Sequence, residues 1–127
     1  MPKLELDEIN RLSFPDFNVL EIQFDPKIKY LYIKIDGAWF ETENSKGKEL
    51  KEGTMRFHSW ENIILKKYDI NCSKWILIAA TEFEPIKDIC EFQITKKNIY
   101  LRGFGKQSGL WVEYELVSPI MDFEFEE

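Results

Sequence analysis

The residues of this chain that could do chemistry are few and scattered. Its single histidine is His58 and its two cysteines are Cys72 and Cys90. A Ser-His-Asp or Cys-His hydrolase would have to be assembled around His58, but no G-x-S-x-G elbow offers a nucleophile on a strand-to-helix turn. One His and two separated Cys fall short of the four N or S ligands of a structural zinc site, and no carboxylate spacing completes one. Gly103-Phe104-Gly105 starts like a dinucleotide loop. The third glycine of G-x-G-x-x-G is Ser108 here, and a strand pattern follows where a helix is needed. Carboxylates at i and i+2 on a strand stand about 7 Å apart, a separation inverting glycosidases use. The same alternation is the ordinary solvent face of an antiparallel strand. The expectation is a binding protein and not an enzyme, with no cofactor and no metal.

The elements that must position any site are read from a chain of 127 residues, which predicts a single domain over 1–127. Aromatic residues make up 15% and hydrophobic residues 44%, enough for a core without disulfide or metal staples. The formal net charge is −6. Nucleic-acid affinity rests on neutralising phosphates, so an acidic domain is poorly suited to it. No apolar run approaches the roughly 20 residues that span a bilayer, and the charged N-terminus lacks the apolar core of a secretory signal. A cytoplasmic protein with reduced thiols is expected.

Alternation with a period of two predicts strands along most of the chain. Leu20, Ile22 and Phe24 should share a face, as should Leu31, Ile33 and Ile35. Asp36-Gly37 reads as a turn, with Ala38-Trp39-Phe40 returning after it. Glu41 to Gly53 reads as a charged loop. Thr54 to Trp60 and Ile63 to Tyr68 follow as strands. The unbroken run Trp75 to Ala80 predicts a strand buried on both faces. Phe83 to Ile89 suits one helical turn, with Glu84 and Pro85 at its start. The C-terminal third reads as a meander through Cys90–Ile94, Ile99–Leu101, Leu110–Leu116 and Met121–Phe125. Leu4, Leu6, Ile9 and Leu12 fit either a strand or a short helix. The fold expected is mostly β: an antiparallel sandwich or barrel of about eight to ten strands with at most one short helix.

Charge is uneven along this pattern. From Leu110 onward there are six acidic residues and no Lys or Arg. If the last two strands pair, Glu113 and Glu115 lie beside Asp122, Glu124 and Glu126 in an acidic strip, which is destabilising in itself. A basic partner surface would account for it. Protection of a sheet edge against aggregation would do so equally well. Tyr30, Tyr32, Trp39 and Trp60 are of the types that anchor interfaces, although each also suits a core.

The C-terminal meander, Cys90-Glu91-Phe92-Gln93-Ile94 through Ile99-Tyr100-Leu101-Arg102-Gly103-Phe104 and on through Ser108-Gly109-Leu110-Trp111-Val112-Glu113-Tyr114-Glu115-Leu116, resembles small acidic immunity proteins of bacterial contact-dependent inhibition and other polymorphic toxin systems. The acidic C-terminal end and Ser59-Trp60-Glu61-Asn62 add to the likeness, which covers about a third of the chain. The resemblance implies a cytoplasmic inhibitor of one cognate toxin, often a nuclease, that occludes its active site or substrate groove. Glu113, Glu115, Asp122, Glu124 and Glu126 would then be the partner-binding residues, facing a basic toxin surface. The alternative is a β-barrel that binds a small molecule or lipid, with Arg56, Arg102 or Tyr100 fixing its head group.

Overall fold

A computed structural model describes residues 12–14, 17–40 and 48–126, without the side chain of Lys48. Leu4, Leu6, Ile9 and the loop residues 41–47 lie outside the described residues. Among the described residues there are twelve strands: β1 Leu12–Ser13, β2 Val19–Asp25, β3 Tyr30–Ile35, β4 Ala38–Phe40, β5 Lys48–Leu50, β6 Gly53–His58, β7 Asn62–Asp69, β8 Lys74–Ile78, β9 Glu91–Thr95, β10 Asn98–Phe104, β11 Trp111–Val117 and β12 Ile120–Phe125. Ala38-Trp39-Phe40 forms the short strand expected there, and the two strands beyond the eight to ten expected are β1, in the stretch that fitted either strand or helix, and β5, inside the charged loop expected over Glu41 to Gly53. Two larger antiparallel sheets form: sheet I in the order β8-β7-β11-β10-β9 and sheet II in the order β12-β6-β3-β2. A small sheet, β1-β4-β5, accompanies them. The arrangement is an open sandwich, not a closed barrel.

The alternation read from the sequence explains the packing. Leu31, Ile33 and Ile35 on β3, Met55 and Phe57 on β6, and Phe123 and Phe125 on β12 are all buried, as are Leu65, Ile99, Leu101, Val112, Tyr114 and Leu116 from sheet I. Aromatic rings cross between the layers. Phe92 of sheet I meets Phe123 of sheet II at 5.9 Å. Phe83 stacks between Phe24 at 4.2 Å and Tyr114 at 5.0 Å. Such contacts add to the gain from area removed from water, roughly 25 cal/mol per Å² of apolar surface.

Several local expectations are corrected. Leu20 does not share a face with Ile22 and Phe24: the β2–β3 register slips between Val19 and Glu21, and Leu20 is left 49% exposed. An extra residue in one strand turns its side chain out of the alternation. Asp36-Gly37 is a corner and not a hairpin, since β4 leaves β3 to pair with β1 and β5. Alternation over Thr54 to Trp60 ends at Ser59, whose φ of 55° lets Trp60 turn into the core. The helical turn expected within Phe83 to Ile89 is a 3₁₀ turn at Ala80–Glu82 instead. The chain after it runs alongside sheet I, with bridges Asn18↔Asp88 and Ile86↔Gly105.

The largest correction concerns the run Trp75 to Ala80. It was expected to be buried on both faces. β8 is instead an edge of sheet I, with Ile76 39% and Leu77 69% exposed. An apolar run shows that a strand prefers company, not where the sheet order places it.

A candidate protein-binding face on sheet I

The β9–β10–β11 meander forms as the sequence suggested, but β12 does not continue it. Ser118, at φ 51°, and Pro119 carry the chain across to sheet II, where β12 pairs with β6. β11 is flanked by β10 and β7. The five acidic residues expected in one strip are therefore divided between two sheets. Glu113 is only 3% exposed and is bound by Arg102 at 2.7 Å, with Lys66 at 3.8 Å. Glu115 accepts hydrogen bonds from Asn98 Nδ2 at 2.8 Å and Tyr100 Oη at 3.2 Å. On sheet II, Arg56 reaches Glu124 at 3.5 Å and Asp122 at 3.9 Å. Glu126 is exposed beyond β12.

What the register assembles on the outer face of sheet I is different. Gly103 and Val112 face inward as a buried pair, so their neighbours Phe104 and Trp111 face outward, also opposite one another. Their rings meet at 4.9 Å. The β7–β11 register, continued by one residue beyond Val112↔Lys67, brings Trp111 level with Tyr68, and Tyr68 is paired with Trp75. Tyr68 and Trp75 meet edge-on at 5.5 Å. Phe104, Trp111, Tyr68 and Trp75 thus form an aromatic band across four strands, each partly open to solvent.

A charged row runs beside the band. Arg102, Glu113 and Lys66 are cross-strand neighbours. The Arg102 guanidinium donates to Glu113 through Nε at 2.7 Å and to Glu91 through Nη1 at 3.0 Å. It also sits 5.9 Å from the Trp75 ring centre. Burial opposes its charge, but the two carboxylates prevail and raise its pKa. Lys87 places its ammonium 5.9 Å from the Phe104 ring centre at the opposite end. The face therefore combines flat aromatic area with fixed charge of both signs, the residue types on which binding energy concentrates.

The end of this face is pinned by a carboxylate that the sequence reading assigned to a helix start. Glu84 is 2% exposed. Its Oε2 accepts from the backbone N–H of Gln107 at 3.1 Å and of Ser108 at 2.7 Å, and from Ser108 Oγ at 2.8 Å. Its Oε1 pairs with Lys67 at 2.9 Å. Burial pushes the Glu84 pKa up, and the bonds from Lys67 and Ser108 outweigh it, leaving it below the ordinary value of 4.5. A Cβ on Gly105 would lie 1.9 Å from Glu84 Oε2, so only glycine admits the carboxylate here. The neighbouring Tyr114 hydroxyl donates to the Glu84 carbonyl and accepts from the Ile86 N–H at 3.0 Å. The hairpin that connects Phe104 to Trp111 is thus fixed from beneath.

The residues singled out earlier as anchors lie elsewhere. Trp60 is buried against Phe24, Trp39 packs on Phe17, and Tyr32 lies under Arg56. Tyr68, Trp75, Phe104 and Trp111 were missed. The signal available was the outward phase of Trp111 with Glu113 and Glu115, but its continuation to Tyr68 and Trp75 needs the strand order. Arg102 and Tyr100, proposed as head-group ligands, line an open cleft of about 440 Å³ with Phe14 and Phe92. The Arg102 guanidinium there is already engaged by two carboxylates. His58 pairs with the hydroxyl of its neighbour Ser59 at 3.1 Å. Among the described residues no cluster of three or more His, Cys, Asp or Glu could hold a metal, and no helix is long and apolar enough to cross a membrane. Comparison of the chain with protein-family models, curated proteins and solved structures found no match.

Proposed function

We propose that this chain binds another protein through the outer face of sheet I, and that it serves in the cytoplasm as the immunity partner of a bacterial toxin. The observation that carries the binding reading is the aromatic band Phe104–Trp111–Tyr68–Trp75 beside the Arg102–Glu113–Lys66 row. Rings held by neighbouring rings lose little freedom on binding, so their burial is converted efficiently into affinity. The toxin reading is supported by the resemblance drawn above. Two of the segments that carry it, 90–104 and 108–116, span β9, β10 and most of β11, three of the strands of this face, while the acidic end that adds to it lies on sheet II. Since the acidic residues are divided between two sheets and largely engaged within the fold, the partner is gripped by aromatic contacts. The net charge of −6 acts at longer range, attracting a basic partner before contact.

The test is capture by the tagged chain from its native host, identification of retained proteins by mass spectrometry, and expression of the captured protein in bacteria with and without this chain. The expected result is a retained protein whose expression arrests growth and whose toxicity the chain relieves. Trp111→Ala and Trp75→Ala, checked for folding by circular dichroism, should weaken its binding by tenfold or more, about 1.4 kcal/mol. Retention of a small molecule in place of a protein, or a captured protein that is harmless, would overturn the immunity reading.

A further inference from the structure

Sheet I has two edges and they are treated differently. β9 is approached by β1. In sheet II, β2 carries the bulge at Leu20 and bonds Val19 N–H to Lys87 O, while β12 carries Asp122 and Glu124 and is followed by main-chain bonds between Glu126 and residues 51 and 52. Bulges, charges and covering segments are the usual devices that keep sheet edges from pairing. Past its first residue, Lys74, β8 has none of them among the described residues. Trp75-Ile76-Leu77-Ile78-Ala79 contains no charge, proline or glycine, pairs only with β7, and stays extended through Ala79 at φ −76° and ψ 158°.

We propose that β8 pairs antiparallel with β8 of a second copy of this chain across a twofold axis at Leu77. A twofold axis perpendicular to the sheet sets a residue opposite itself and keeps each face continuous. Centring it on Leu77 sets Leu77 against its own copy. Ile76 then meets Ile78 on the inner face, and bulky Trp75 meets small Ala79 on the outer face. Lys74 falls opposite Ala80, past the apolar stretch. Centring on Ile76 would instead set Lys74 against Ile78, and centring on Trp75 would set it against Ile76. The Leu77 register is thus the one in which every residue from 75 to 79 finds an apolar mate, and the most exposed large side chain of the strand becomes its centre. The product is a ten-stranded sheet whose two aromatic bands lie on one surface, with the Trp75 residues flanking the axis.

The test is sedimentation velocity on the full chain from micromolar to near-millimolar concentration, together with cysteine cross-linking. The wild type should shift from the 15.2 kDa monomer to the dimer as concentration rises. Leu77→Lys sets two ammonium groups against each other and removes two apolar side chains from the interface, so dimerisation should weaken by about 100-fold or more. Because Leu77 is exposed, the thermal midpoint of the monomer should hardly move. In a background with Cys72 and Cys90 replaced by Ser, Leu77→Cys should form an intermolecular disulfide under mild oxidation, whereas Trp75→Cys should not. Opposed Cα atoms in an antiparallel pair stand about 4.5–5.5 Å apart, within disulfide reach. A monomer at all concentrations, or cross-linking through position 75 and not 77, would overturn the proposal. A monomer that still binds its protein partner through Trp111 would remove the dimer alone and leave the proposed function standing.

Discussion

Replacing Glu84 by Gln keeps the side chain's shape and removes its charge. The carboxylate is buried, with three donors on Oε2 and the Lys67 ammonium on Oε1. Glutamine retains one acceptor oxygen, so the bonds from Gln107 and Ser108 weaken from charge-assisted to neutral, a loss of about 1 kcal/mol in sum. The amide NH₂ then faces Lys67, which loses its partner. Breaking a fully buried pair costs about 3–5 kcal/mol, but the Lys67 side chain is 29% exposed and regains some hydration. The total is about 2–3 kcal/mol, or a fall in melting temperature of roughly 10 °C for a chain of this size. The effect has a pH signature. The folded-state pKa of Glu84 lies below its ordinary value, so the unfolded chain binds more protons and the carboxylate's stabilisation is fully present above about pH 4.5. It is lost as pH falls through the lower folded-state value. Urea denaturation of wild type and Glu84→Gln should therefore differ by about 2–3 kcal/mol near neutrality and converge in acid. Amide exchange at Gln107 and Ser108 should accelerate in the variant. A deficit below about 0.5 kcal/mol, the scale of an ordinary surface substitution, or one that stays constant into acid, would refute the assignment of Glu84 as the latch of the β10–β11 hairpin.

Other substitutions probe the face itself. Arg102→Ala strands Glu113 at 3% exposure with only Lys66 at 3.8 Å, and should cost about 2–4 kcal/mol by urea denaturation, with Arg102→Lys recovering part of it. The Cys90 thiol is pushed up to about 11 by burial and by the neighbouring Asp88. At pH 8 about one Cys90 in a thousand is thiolate, so alkylation there should be slow and should rise about tenfold per pH unit until near pH 11.

The strands were legible where one face is buried and the other wet. β3, with Leu31, Ile33 and Ile35 alternating against Tyr30, Tyr32 and Lys34, is the clearest case, and the β9–β11 meander follows the same logic with short local turns. What escaped was long-range. Ser118-Pro119 has the form of a hairpin turn, yet β12 pairs with β6 more than fifty positions back in the chain, and nothing local distinguishes a hairpin from a crossover. The β8 run Trp75–Ile78 lacks the polar alternation that would reveal its faces, and its edge position follows from the order of four other strands. Glu113 was read as a solvent-facing acid because Lys66 is remote in sequence and the alternation does not show the hairpin register that sets Arg102, 11 positions away, opposite it. The same remoteness hid the band, whose four rings come from β7, β8, β10 and β11.

On the proposed function, the outer face of sheet I binds the protein partner. The most direct test is calorimetric titration of the captured protein partner into the wild-type chain, Trp111→Ala and the paired charge reversal Asp122→Lys with Glu124→Lys on sheet II. Trp111→Ala should lose tenfold or more in affinity while the sheet II variant, once shown to be folded, should bind within about threefold of wild type, the scale expected when only long-range attraction changes. The opposite pattern, with the sheet II charges decisive and Trp111 indifferent, would contradict it.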